Sequence, residues 1–105
     1  MSFIDEILPE NELQSIHFEP WGKDIYFYPM TVNDSDWVEK KAKGSQAKTV
    51  CYTLVRKCMD EDGNRVFVPA DAATLSNKFN LQVLSQLVIQ MYGDEDPSAE
   101  DLEKN

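Results

Sequence analysis

The chain has 105 residues, 42% of them hydrophobic, which is enough for one globular domain with a single core. Its 19 acidic and 10 basic residues give a formal net charge of -9, which disfavours nucleic acid and anionic membrane surfaces as partners. The first ten residues carry three acidic side chains and no basic one, whereas a secretory signal would begin with basic residues. No apolar stretch is long enough to span a bilayer. We therefore expect a soluble protein that remains in the compartment where it is made.

Charge divides the chain into three parts. Residues 1–22 carry five acidic side chains and no basic one, and residues 93–105 carry six acids and Lys104. Leu102 is the one large apolar side chain of this last stretch, so the stretch cannot bury enough surface to offset the entropy of ordering it. We predict a flexible acidic arm at residues 1–13, a single globular domain at residues 14–92 and a disordered acidic tail at residues 93–105.

The first predicted element is a β-hairpin. Residues 14–19 alternate apolar and polar side chains, residues 24–29 are rich in β-branched and aromatic types, and residues 20–23 form the loop. Alternation places Ile25 and Phe27 on one face of the second strand and Tyr26 and Tyr28 on the other. Both faces therefore need cover, either from helices or an extra strand of the domain or from another protein.

Two helices are predicted next. Thr31 or Asn33 offers an N-cap for a helix that carries Trp37, and Gly44 predicts either a break or a weakly stabilised exposed segment. From Thr49 onward, one stripe of an amphipathic helix is predicted, formed by Val50, Cys51, Leu54, Val55 and Cys58.

The remaining elements are shorter. Residues 60–64 are turn formers, residues 65–68 predict an extended piece, and Asp71 can cap a helix that runs through Phe79. Residues 81–91 keep helical spacing, and Gly93 suits the C-terminal cap. The predicted fold class is a small α+β domain in which an N-terminal β-hairpin precedes three to four helices.

Few residues suit catalysis or metal binding. Cys51 and Cys58 lie two helical turns apart, too far for a disulfide within that helix, and are expected to be small buried hydrophobes. His17 has no nearby nucleophile, and the sequence has no CxxC or HxxxH spacing. We therefore expect no catalytic residue, no metal and no cofactor.

One basic cluster has two interpretations. It consists of Lys40, Lys41, Lys43 and Lys48. The residues form either a solvated helix face or a docking surface for an acidic partner.

Several segments, taken in order, resemble the small tail assembly chaperones of long-tailed bacteriophages. These segments are Pro20-Trp21-Gly22, residues 25–31, Asp36-Trp37, residues 58–67, and Asp71 with Leu75. The similarity covers residues 16–92 and includes a W-G-hydrophobic strand, a threonine-started helix and a D-x-D-G-x-R-hydrophobic-F turn. The polar residues 40–48 depart from the family pattern.

The resemblance implies a non-enzymatic viral assembly factor in the bacterial host cytoplasm. Such a factor binds the tape measure protein, a long helical client prone to aggregation, and helps recruit tail tube subunits. Self-association is left open. The alternative that the charge permits is an acidic regulatory adaptor or antitoxin-like protein that occupies a basic partner surface. Concentration of the acid in the two ends favours the chaperone.

We predict client contacts at Tyr26, Tyr28 and Met30, together with Met91 and Tyr92 at the end of the last helix. Tyrosine is amphipathic and methionine adapts its shape, so both suit a surface that receives another protein.

Overall fold

The computed structural model describes residues 2–8 and 12–93. The predicted disordered tail therefore lies outside the described residues from residue 94 onward. Within the described segments, no helix combines the length and the apolar character that a bilayer crossing requires.

The predicted hairpin is present. Strands β1 (Gln14–Phe18) and β2 (Lys23–Phe27) pair antiparallel, and a 3-10 turn (Glu19–Trp21) joins them. Gly22 completes the loop with φ 60, a left-handed conformation that glycine adopts without steric cost. A short third strand, β3 (Cys58–Met59), pairs antiparallel with β2, so the sheet order is β1-β2-β3.

Helices make up most of the rest of the described chain. They are α1 (Phe3–Ile7), α2 (Val32–Ala42), α3 (Gln46–Lys57), α4 (Asp71–Lys78) and α5 (Leu81–Tyr92). Together with the antiparallel sheet they form the predicted α+β architecture, in which α2 packs on α3 and α3 packs on α4 and α5.

Local capping explains the helix boundaries. Thr31 caps α2, and its hydroxyl and backbone exchange hydrogen bonds with Asp34. The helix ends at Lys43, which is left-handed, and Ser45 caps α3 directly afterwards. The predicted weak segment at Gly44 is therefore a break, and α3 begins before the predicted Thr49.

Two sequence predictions, for Cys58 and for Asp71, were wrong. Cys58 lies in β3 rather than in the preceding helix, because it pairs with Phe27 of β2. Asp71 is the first residue of α4, and its carboxylate accepts from the Val68 amide instead of capping the helix. Of the predicted extended piece at residues 65–68, only Arg65 forms a strand pair, with Met59.

The N-terminal arm contains a helix that the sequence pattern did not predict. Ser2 caps α1, and every residue of this helix is exposed. Its large apolar side chains, together with that of Leu8, are 57–71% exposed and add nothing to the core; they are Phe3, Ile4, Ile7 and Leu8.

The core lies between the sheet and α3, α4 and α5. Its fully buried side chains include Phe18, Leu54, Val55, Leu75, Leu84 and Leu87. Cys51 and Cys58 are free thiols in the same cluster, 3% and 1% exposed, as expected for small hydrophobes.

A buried ion cluster ties α2 to the end of α3. The Asp34 carboxylate accepts from Arg56 Nε at 2.7 Å and from Lys57 Nζ at 2.6 Å. Asp34 and Lys57 are 7% and 5% exposed. Burial would raise the pKa of the Asp34 carboxyl, but hydrogen bonds from Lys57, Arg56 and Thr31 together hold that pKa well below its ordinary value.

We expect Leu54→Ala or Leu84→Ala to lower the free energy of unfolding by about 2–5 kcal/mol, because each leaves a cavity in the core. Ile89→Ala on the exposed side of α5, where Ile89 is 45% exposed, is the control. Urea unfolding checks the prediction. Equal midpoints for all three variants would contradict the assigned helix register.

We expect Asp34→Asn to destabilise the protein at pH 7 by about 3–5 kcal/mol, because buried Lys57 and partly buried Arg56 lose their counter-charge. The asparagine oxygen can still accept from the Thr31 amide, so the loss reports the charge. Asp36→Asn, which breaks the exposed pair with Lys40, should cost at most ~1 kcal/mol.

The same pair of variants predicts a pH dependence. The Asp34 pKa is lowered in the folded state, so its contribution is complete above the unfolded pKa of about 4 and falls as pH drops below it. Urea unfolding between pH 7 and pH 2 should therefore show a shallower acid loss for Asp34→Asn than for the wild type. Parallel curves would contradict the assignment.

Candidate functional site

An open groove of about 840 Å³, here called the hairpin groove, lies beside the sheet. Trp21, Ile25 and Tyr26 of the hairpin line it, and all three are half-buried. The other apolar lining residues include Met59, Val66, Phe67 and Phe79. Since most of the lining is apolar, the groove offers hydrophobic burial to whatever occupies it.

Strand pairing and one turn build this groove. Tyr26 pairs with Met59 across β2 and β3, and the chain then reverses through residues 60–64. The Asp60 carboxylate accepts from the Asp62 and Asn64 amides, each at 2.9 Å. The Val66 amide donates to the Cys58 carbonyl at 3.3 Å. These bonds reverse the direction of the chain and bring Val66, which is half exposed, into the lining of the groove.

Tyr28 contacts the turn at Gly63. Gly63 has φ +83, and a Cβ built there would lie 2.6 Å from the Tyr28 hydroxyl oxygen. Tyr28 is thus packed against the turn. The backbone conformation favours glycine at position 63, and the Tyr28 hydroxyl would have to shift to admit a Cβ there.

The rim of the groove is mainly acidic. Asp24, Asp60 and Glu61 line it together with a single cation, Lys23. His17 Nδ1 lies 2.9 Å from Asp24 Oδ1 in an exposed pair. An apolar segment with basic flanking residues is therefore the complementary occupant.

The thiol at the base of the groove is unsuited to nucleophilic chemistry. Burial raises the pKa of Cys58 to about 12, so the sulfur stays protonated near neutral pH. Across residues 2–8 and 12–93, no group of three or more His, Cys, Asp or Glu side chains is arranged to hold a metal ion.

The five predicted client contacts lie in different environments. Tyr26 lies in the hairpin groove, Tyr28 packs on the turn, and Met30 is 37% exposed beyond β2. The Tyr92 hydroxyl donates to the Tyr28 carbonyl at 2.7 Å, and burial raises the Tyr92 pKa above its ordinary value. Met91 is 6% exposed in the core, so it offers a partner almost no surface.

Sequence reasoning missed most of the groove. Trp21, Val66 and Phe67 are apolar residues in or next to predicted turns. Such residues must be buried against some other part of the chain or a partner, but the local sequence does not say which. Phe79 was predicted only as part of a helix, yet it is 43% exposed and its ring lies 5.9 Å from that of Trp21.

A second concavity of about 580 Å³, here called the lysine cleft, lies on α2 and α3. It is lined by Trp37, Tyr52 and the predicted basic cluster, Lys40, Lys41, Lys43 and Lys48. The cluster is therefore arranged around an aromatic site and is not spread along one helix.

Comparison of the chain with protein-family models, with curated proteins and with solved structures gives no match.

We expect Gly63→Ala to destabilise the protein more than Gly44→Ala. Both glycines have nearly the same φ, +83 and +85, but a Cβ at Gly44 meets nothing within 4 Å. Gly44→Ala should cost about 1–2 kcal/mol for left-handed strain, and Gly63→Ala about 1 kcal/mol more for the contact with Tyr28.

Tyr28→Phe isolates that contact, because the next Tyr28 atom lies 3.6 Å from the built Cβ. In this background, thermal or urea unfolding should give both alanine substitutions the same cost. An excess for Gly63→Ala that survives Tyr28→Phe would contradict the packing described.

Proposed function

We propose that the protein is a non-enzymatic binding protein whose hairpin groove holds an apolar segment of a client protein. The observation that carries this proposal is the groove, which combines apolar walls with an acidic rim. Each 100 Å² of apolar surface buried there contributes about 2.5 kcal/mol before the costs of association.

We propose further that the client is a tape measure protein and that the protein acts as a phage tail assembly chaperone in the bacterial host cytoplasm. The segments that resemble the chaperone family support this assignment by their position. Trp21, Ile25 and Tyr26, and residues 58–61 and 66–67, line the groove. Three of the segments that carry the resemblance thus contribute to the groove, whereas Asp36-Trp37 and Asp71 with Leu75 lie outside its lining.

The charge of the chain suits this role. A chaperone must keep an apolar surface soluble before its client arrives, and a net charge of -9 makes copies of the chain repel one another. The acidic rim favours client segments in which basic residues flank the apolar stretch. Recruitment of tail tube subunits is part of the same proposal.

Val66→Asp tests the proposal with a matched control. Val66 is 50% exposed and lines the groove, whereas Val68 is 59% exposed and lies outside its lining. Both substitutions add the same charge to the same exposed segment. The assay is co-expression with the tape measure protein of the same genome, followed by measurement of the soluble client.

We expect the wild type and Val68→Asp to keep the client soluble. Val66→Asp should weaken binding by at least about tenfold, or ~1.4 kcal/mol, because a carboxylate is desolvated against apolar walls. Circular dichroism confirms that both variants fold. Failure of the wild type to solubilise the client would overturn the chaperone assignment, and full activity of folded Val66→Asp would overturn the groove as its site.

A further inference from the structure

The lysine cleft has an aromatic base and a basic border. The Trp37 and Tyr52 rings meet edge to face with centroids 5.9 Å apart, and Lys41 Nζ lies 5.8 Å from the Trp37 centroid. Among the described residues, Lys40 is the only one of the four cleft lysines that forms an ion pair. Its partner is the exposed Asp36, at 3.0 Å. The cleft therefore presents concentrated positive charge beside two apolar rings.

The chain itself contains a segment of complementary chemistry. Residues 94–105 hold six acidic side chains and one lysine, together with Pro97 and Leu102 as apolar groups. An acidic segment with interspersed apolar side chains matches a cleft in which lysines surround Trp37 and Tyr52.

This segment is also long enough to reach the cleft. The segment follows Gly93. The preceding residue, Tyr92, donates its hydroxyl to the Tyr28 carbonyl. Tyr28 lies three residues before Thr31, the N-cap of α2, so the segment starts near the beginning of that helix. The 11 residues of α2 extend about 16 Å, whereas twelve residues of extended chain span up to ~40 Å.

We propose that residues 94–105 occupy the lysine cleft of the same molecule, held by ion pairs to the lysines and by contact with Trp37 and Tyr52. The tail needs no regular structure for this, because ion pairing does not require it to fold. The consequence is a salt-sensitive intramolecular contact that competes with any other acidic partner for the cleft. This occupancy is independent of the hairpin groove and of its proposed client.

Paramagnetic NMR on the full-length chain tests the proposal. A nitroxide is attached at Ser98→Cys in the folded protein, where the native thiols of Cys51 and Cys58 are buried and do not compete. We expect broadening of the Trp37 indole, Lys41 and Tyr52 signals at low salt. The broadening should disappear near 1 M NaCl, where the screening length is about 3 Å.

The matched control is a full-length, spin-labelled chain whose tail is neutralised. It carries Asp94→Asn, Glu95→Gln, Asp96→Asn, Glu100→Gln, Asp101→Asn and Glu103→Gln. Loss of the cleft broadening in this variant supports the proposal. Unchanged broadening, absence of broadening in the wild-type tail, or broadening at the hairpin groove instead would each overturn it.

Mixed samples identify the molecule that supplies the tail. Isotope-labelled chain without nitroxide is combined with spin-labelled chain of natural abundance. We expect no cleft broadening in this mixture. Broadening there equal to that in the single-species sample would place the tail in a second copy and overturn the intramolecular assignment.

Discussion

The buried carboxylate of Asp34 is the constraint on which the rest of the fold depends. It lies at the N-terminus of α2, and its partners Arg56 and Lys57 lie in the last turn of α3, so the charges also complement both helix dipoles. A buried charge is tolerated only with such partners. The cluster therefore joins the start of α2 to the last turn of α3, directly before the chain enters β3.

The path of the chain beyond α3 depends on that endpoint. Directly after Lys57 the chain enters β3, pairs with β2 and turns through residues 60–64 to place Val66 and Phe67 beside the hairpin. The hairpin groove is thus formed by the hairpin, by β3 with the segment that follows it, and by Phe79 at the end of α4. The lysine cleft lies on α2 and α3, whose residues do not line the hairpin groove, so the two surfaces of opposite charge are built from different parts of the chain.

Local signals predicted much of this fold, and non-local contacts account for the rest. The hairpin, the Thr31 cap and α5 follow from neighbouring residues, and the structure has each of them. Cys58 fits a helical stripe by spacing, but its pairing with Phe27 depends on residues far apart in sequence. The predicted contact Tyr26 lies in the groove, whereas apolar spacing alone could not distinguish a partner contact from the buried Met91.

Hydrogen exchange on the purified complex with the tape measure protein is the most direct test of the central claim, that the hairpin groove holds the client. The account predicts that client binding slows exchange in residues 21–26 and 58–67, with little change in α4. Slowed exchange confined to α1 or to the lysine cleft, with these groove segments unaffected, would contradict it.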